Sequence, residues 1–342
     1  MFTYQKAQVS FKKLQEIGQD GKNSKVYRVH DELLDAEMVI KEVEKRPGFS
    51  TDQYFSEART LYRSAHPNVV QVNYACDDVD KIYVASPFYK NGSLKQKMAN
   101  KFLTVKEIIR YSTHMLNGLH NIHSKKLIHF DIKPDNILIS DRDEALIADF
   151  GQTKVMDSNG IAQQPYLYNK QWPPEVFGNT KAEFDNRFDI YQIGLTMYRM
   201  CVGDDAFNQQ FSNYTDGVQF GRAIIAGRFP DRSKYPLHIP KKLQSTINKC
   251  LKPNPTQRYG AAIEVVNALA DIDGSILHWE FKPTGNSLYW EQTVGAKHKS
   301  ITVCDKRTSK AYSKNGSSAA RRVTAFCKNN ISDQEIIKFL EL

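Results

Sequence analysis

Apolar positions change their rhythm along the chain, and the changes mark its divisions. Residues 9–17, 25–29 and 38–43 carry short apolar or alternating runs of the kind that strands bury, and the first two flank a glycine-containing loop. Residues 50–64 shift to helical spacing. Phe55, Ala58, Leu61 and Tyr62 form a stripe there, and Ser50 with Gln53 stands at capping-box spacing. From Thr104 the helical period dominates. Thr104 and Glu107 make a second capping box, and Ile108, Ile109, Met115, Leu116, Leu119 and Ile122 recur on one face. A further helix is predicted over 188–201, stopped by Gly203. Near the end, 288–294, 299–304 and 308–313 read as strands and 319–327 as a helix. The last helix opens on a capping box of Ser332 and Glu335, with Ile331 and Ile336 as its hydrophobic staple. Trp279, Tyr289 and Trp290 are expected in a core.

Composition narrows the class. The chain has 342 residues, of which 41% are hydrophobic, and no apolar run is long enough for a membrane span. Its first residues lack the apolar centre of a signal peptide. Five cysteines, widely spaced and without a C-x-x-C pair, argue against a disulfide framework and against a zinc site. A soluble protein of a reducing compartment, the cytoplasm, is the expectation. The net charge is +9, and from Gly274 onward 11 lysines and arginines face 6 acids, so the basic excess gathers at the C-terminus.

Candidate chemistry lies in the middle. Residues 129–136 read HFDIKPDN and residues 149–151 read DFG. Asp131 can take a proton from a hydroxyl, and Lys133 can steady a phosphoryl group. Asn136 and Asp149 can share a metal ion. Together these residues follow the pattern H-R-D-x-x-x-x-N plus D-F-G. On these motifs the chain resembles the eukaryotic-like serine/threonine protein kinase family over about residues 11–273. The resemblance implies an α+β, bilobal protein-kinase fold with a β-rich first lobe and a helical second lobe. It makes 1–10 an extension and 274–342 a small basic α/β appendage outside the family. It also implies ATP and Mg²⁺ as cofactors and a protein substrate.

Site residues follow from the resemblance one by one. Lys41 of MVIK grips the α/β-phosphates, and Glu57, in a helix followed by HPN, holds that lysine in place. Taken without the HPN spacing, Glu57 reads as an exposed helix acid. Ile17, Gly18, Gly21 and Ser24 belong to the phosphate-covering loop. Val26 and Val39 roof the adenine, and Leu138 floors it. Ser86 falls at the gatekeeper position, and Pro87 and Tyr89 offer hinge backbone groups. Lys133 points to serine or threonine acceptors rather than tyrosine. Glu175, Asp189 and Arg258 fall at scaffold positions: a brace for the catalytic loop and an Arg–Glu pair. Asp135 reads either as a selector of basic substrates or as a loop acid.

Three departures stand out. The glycine-rich loop has one residue more than G-x-G-x-x-G-x-V and Ser24 for the last glycine, and Asp20 would repel phosphates unless turned away. Phe130 replaces the arginine that receives an activation-loop phosphate, so gating by such phosphorylation is not expected. Tyr168 stands where a threonine is usual. The competing readings are a pseudokinase scaffold, supported by the irregular loop, and a small-molecule kinase, disfavoured by Glu175, Asp189 and Arg258. For 274–342 the readings are protein docking, nucleic-acid binding through Lys297, Lys299, Lys306, Lys310, Arg307, Arg321 and Arg322, or a plain solvated surface.

Overall fold

Short apolar runs in the first hundred residues build one antiparallel sheet. The computed structural model describes residues 9–18, 24–45, 51–164, 171–177 and 181–342, without the side chains of 51–54 and 57. Gly21, Asp20, Ser50, Tyr166 and Tyr168 lie outside the described residues, as do the side chains of Gln53 and Glu57. The first lobe contains β1 (Lys12–Gly18), β2 (Ser24–Asp31), β3 (Ala36–Glu44), α1 (Thr51–Arg63), β4 (Tyr74–Asp77) and β5 (Lys81–Pro87). The sheet order is β1-β2-β3-β5-β4. Val29, Met38, Ile40 and Ala85 form its buried face. On α1 the expected stripe is narrower than the sequence suggested. Ala58 and Leu61 are buried, but Tyr62 is 71% exposed. One residue past Leu61 is about 100° further round the helix, which turns Tyr62 to solvent.

The second lobe starts with α2 (Leu94–Asn100) and the long α3 (Val105–Ser124). Thr104 and Glu107 form the reciprocal cap of α3, and its apolar face is buried along most of its length. Short strand pairs follow: β6 (Leu127–Ile128) with β9 (Lys154–Val155), β7 (Ile137–Ile139) with β8 (Ala145–Ile147), and β10 (Ala162–Gln163) with β11 (Glu183–Phe184). Next come α4 (Arg187–Val202), α5 (Asp204–Ser212), α6 (Gly217–Ile225), α7 (Lys241–Cys250) and α8 (Ala262–Ala270). All but the first residue of α4 are buried, so this helix is the axis of the lobe. Gly194 lets it approach α7, since a Cβ there would lie 2.6 Å from Cβ of Cys250. Gly203, at φ 85°, ends it.

Beyond Gly274 a second small core begins. Strands β12 (Glu280–Thr284), β13 (Ser287–Val294), β14 (Lys297–Cys304), β15 (Ser309–Asn315) and β16 (Arg321–Arg322) form an antiparallel meander, covered on one face by α9 (Asp333–Glu341). Trp279, Trp290, Ile301, Phe339 and Leu340 fill the interior. Tyr289 is only half-buried on the opposite face. The Trp279 indole donates to the Leu340 carbonyl at 2.7 Å, and Ser275 Oγ donates to that of Glu341 at 2.7 Å. Residues 319–327, expected as a helix, are not one. Arg321 and Arg322 pair with Ser313 and Tyr312, and a single 3-10 turn follows. The open edge of β15 offers backbone partners that a nine-residue helix would forgo, and so short a helix has little stability of its own. The appendage packs on the second lobe. Phe281 meets Phe102 edge-to-face at 5.0 Å, and the Trp290 indole donates to Nδ1 of the buried His238 at 3.2 Å.

Candidate active site

The segment between β6 and β7 is shaped by one buried carboxylate. Asp189, in the first turn of α4, is fully buried. Its Oδ2 accepts from the backbone N–H of His129 at 2.8 Å, and its Oδ1 accepts from that of Phe130 at 2.9 Å. His123 meets the same carboxylate at 2.8 Å. These contacts hold Phe130 at φ 66°, a region unfavourable for a bulky side chain. His129 packs edge-to-face on Phe150 at 5.0 Å, and burial lowers its imidazole below the ordinary value.

Asp131 follows at once and is nearly buried. Its Oδ2 receives Lys133 Nζ at 2.8 Å and Asn136 Nδ2 at 2.8 Å. Asn136 Nδ2 also donates to the Asp131 carbonyl at 3.0 Å. The nitrogen end of that amide is therefore committed to Asp131, and the oxygen end is the one suited to a cation. Asp149, at φ 62°, lies just beyond Ala148, whose N–H donates to the Asn136 carbonyl at 2.9 Å. The hairpin β7–β8 thus brings Asn136 and Asp149 to one place.

Both residues line a cavity of about 530 Å³ between the lobes. Lys41 lines it from β3, where it pairs with Val26 on one side and Val84 on the other. Ile17, Gly18, Val26, Val39, Ser86, Pro87, Tyr89 and Leu138 complete the wall expected from the sequence. Its volume is within the usual range for a small-molecule site. Ser24 opens β2 opposite Val43. The donor set suits Mg²⁺, which keeps its waters and takes only one or two carboxylates besides substrate phosphates. Val70, Val84 and Ala148 also line the cavity. Sequence reading passed over them because they look like ordinary core.

Around this centre the scaffold residues meet as expected. Arg258 makes two parallel bonds to Glu175, at 2.7 and 2.6 Å, from a site only 4% exposed. Asp135 is claimed by Lys95 at 2.6 Å, with Arg199 at 4.0 Å. Burial would raise its carboxyl, but these cations hold it below the ordinary range. That is the loop-acid reading of Asp135. Phe130 stacks edge-to-face with Phe188 at 4.8 Å and Phe184 at 5.9 Å, and Ala162 and Ile128 close the cluster. An aromatic plug thus sits under the segment that follows DFG.

Gln192 is the residue that sequence reading missed. Its Oε1 accepts from the Ile132 N–H at 3.0 Å, and its Nε2 donates to the Phe130 carbonyl at 3.0 Å and to that of Gln171 at 3.4 Å. It clamps the backbone on both sides of Asp131. The only available hint was its position on α4, one turn after Asp189.

Among known families, the protein kinase domain matches residues 11–268. A probable serine/threonine-protein kinase of Dictyostelium discoideum is 29% identical over 205 residues, covering 57% of this chain and 34% of that protein. The 3-phosphoinositide-dependent protein kinase 1 of Arabidopsis thaliana is 28% identical over 225 residues, covering 62% and 44%. A probable serine/threonine-protein kinase of Clostridium acetobutylicum is 25% identical over 273 residues, covering 77% and 40%. The matched part spans between a third and a half of the length of these relatives.

Proposed function

Because this chain belongs to the protein kinase family, we propose that it transfers the γ-phosphoryl group of ATP to serine or threonine hydroxyls of protein substrates. One observation carries the reading. Asp131 is held between Lys133 and Asn136 and is joined through Asn136 to the cavity that Lys41 and Asp149 line. In this reading Asp131 orients the acceptor hydroxyl and takes its proton. Lys133, fixed 2.8 Å from Asp131, faces the oxygens on which charge spreads during transfer. Lys41 grips the inner phosphates, with Glu57 assigned to steady it. Asn136 and Asp149 would hold Mg²⁺, which when bound supplies positive charge to the phosphates. Ser86, Pro87, Tyr89, Val26, Val39 and Leu138 form the adenine slot, and the loop from Ile17 to Ser24, with Gly18 and Gly21, covers the phosphates. Serine or threonine as the acceptor rests on Lys133 and on the names of the relatives.

Transfer is proposed to run without phosphorylation of the segment after DFG. The support is the Phe130 cluster, which packs that segment with apolar contacts where a cation would need a phosphate. Five unpaired cysteines support a reducing compartment, and among the described residues no helix is long and apolar enough to cross a membrane. The test is transfer of radiolabelled phosphate from ATP to a generic basic protein. Asp131→Asn should reduce the rate by at least about a hundredfold, as loss of a group acting on the nucleophile does. A wild-type rate in that variant would remove Asp131 from its role, and phosphotyrosine as the main product would overturn the acceptor class.

A further inference from the structure

The phosphoryl-transfer site makes no use of the outer face of the C-terminal sheet. Strand alternation decides which side chains that face carries. Ser309 and Ala311 of β15 are buried on the α9 side, so Lys310, Tyr312 and Lys314 project from the other. Register places Thr302, Ser300 and His298 of β14 beside them, and Arg322 directly opposite Tyr312. The half-exposed Tyr312 ring is therefore bracketed by cations. Two stand about 7 Å away along the strand and one about 5 Å across it. Lys297 and Arg321 are also exposed but alternate to the α9 side of the sheet, opposite Asn315 and Ser313.

Charge on this corner is uncompensated. Residues 295–323 contain eight lysines and arginines and one acid, Asp305. Two of the eight are used internally, which corrects the sequence reading. Lys299 points into the core side, where burial lowers its ammonium, and Arg307 bonds Asp333 at 2.7 Å and the Ile331 carbonyl at 2.8 Å. Among the described residues, Lys297, Lys310, Lys314, Arg321 and Arg322 have no carboxylate within ion-pair distance. The acids on the far half of the face, Glu280 and Glu291, are gathered by Lys282.

We propose that this corner binds single-stranded nucleic acid, with Lys310, Lys314 and Arg322 taking phosphates and Tyr312 stacking on a base. An acidic protein segment fits less well. Protein interfaces depend on apolar or aromatic anchors seated in pockets, whereas beside Ser300, Thr302 and His298 this face presents two flat rings, Tyr312 and a Tyr289 whose hydroxyl donates to Glu291 at 2.9 Å. The inference stands independently of the catalytic reading.

The test is fluorescence anisotropy of the full chain with a labelled thymidine oligonucleotide of about 12 residues, a length suited to one small binding face. A glutamate homopolymer of equal charge is the comparison. The oligonucleotide should bind, and its log affinity should fall with log salt with a slope of about −2 if three phosphates are met. Reversing Lys310, Lys314 and Arg322 to glutamate should abolish binding. Tyr312→Ala should weaken it by about fivefold or more at unchanged salt slope, and Tyr312→Trp should retain it. All variants should keep wild-type phosphoryl transfer and melting temperature. The proposal is overturned by no binding at about 50 mM salt, by equal or tighter binding of the glutamate polymer, or by wild-type affinity in Tyr312→Ala.

Discussion

At the scale of single residues, Gln192 and Ser86 make opposite demands on the site. Gln192 satisfies two buried backbone groups flanking Asp131. Replacing it with leucine leaves both unpaired, at about 1–3 kcal/mol each. Gln192→Leu should lower kcat by at least tenfold, with a smaller change in KM for ATP, since the cavity wall is untouched. Gln192→Glu keeps the acceptor for Ile132 but loses the donor to Phe130 and Gln171, and should fall between the two in steady-state kinetics. Ser86 leaves space in the cavity wall, at the back of the proposed adenine slot. Ser86→Phe should exclude ATP analogues enlarged on the adenine amino group while shifting ATP affinity by less than about tenfold. Equal analogue binding in both forms would displace Ser86 from the slot. The residues that gather around Asp131 and along the cavity were largely legible in the sequence because they are rare residue types at fixed spacing. Gln192 was not, because its partners lie 60 and 62 residues away and nothing local marks the contact.

Among the elements, the described parts of the stretch between Phe150 and Phe188 pack on the rings around Phe130, beside the Glu175–Arg258 pair. Three aromatic contacts join Phe130, Phe184 and Phe188, and Phe130 is 3% exposed. Truncating a buried phenylalanine costs about 3–5 kcal/mol. Phe130→Ala should therefore slow transfer and speed limited proteolysis between residues 152 and 186. Phosphatase treatment of the wild type should change activity less than about threefold. A larger loss, mapped to Thr153 or Ser158, would show a phosphate contact that the rings do not replace. Local signals read well at this scale. The boxes at Thr104 and Ser332 predicted helix starts correctly because both partners lie within one turn. The strand at Arg321 was illegible because its identity is conferred by Tyr312 and Ser313, across a turn.

Across the whole molecule, two hydrophobic clusters meet at a seam of Phe102, Leu237, His238, Phe281 and Trp290. A chain ended near residue 273 would bare the first three of these. It should melt lower and associate on size-exclusion chromatography, even with every proposed catalytic residue present. The seam also sets a pH response. Burial lowers His238 from 6.5 to about 3. The unfolded chain then binds the extra proton, so stability present at neutral pH is lost as pH falls from about 6.5 towards 3. His129 acts in the same direction. His238→Asn, which can still accept from Trp290, should flatten part of that slope in guanidinium melts at pH 5 and pH 7.5. An unchanged slope would place the acid sensitivity elsewhere. The bonds from Ser275 and Trp279 to Leu340 and Glu341 carry a mechanical consequence. Tension applied at Leu342 acts on these bonds one after another, like the teeth of a zip, and not on the strand ladder in parallel. Under load α9 should peel first and at low force, uncovering Trp279 while the meander stays intact.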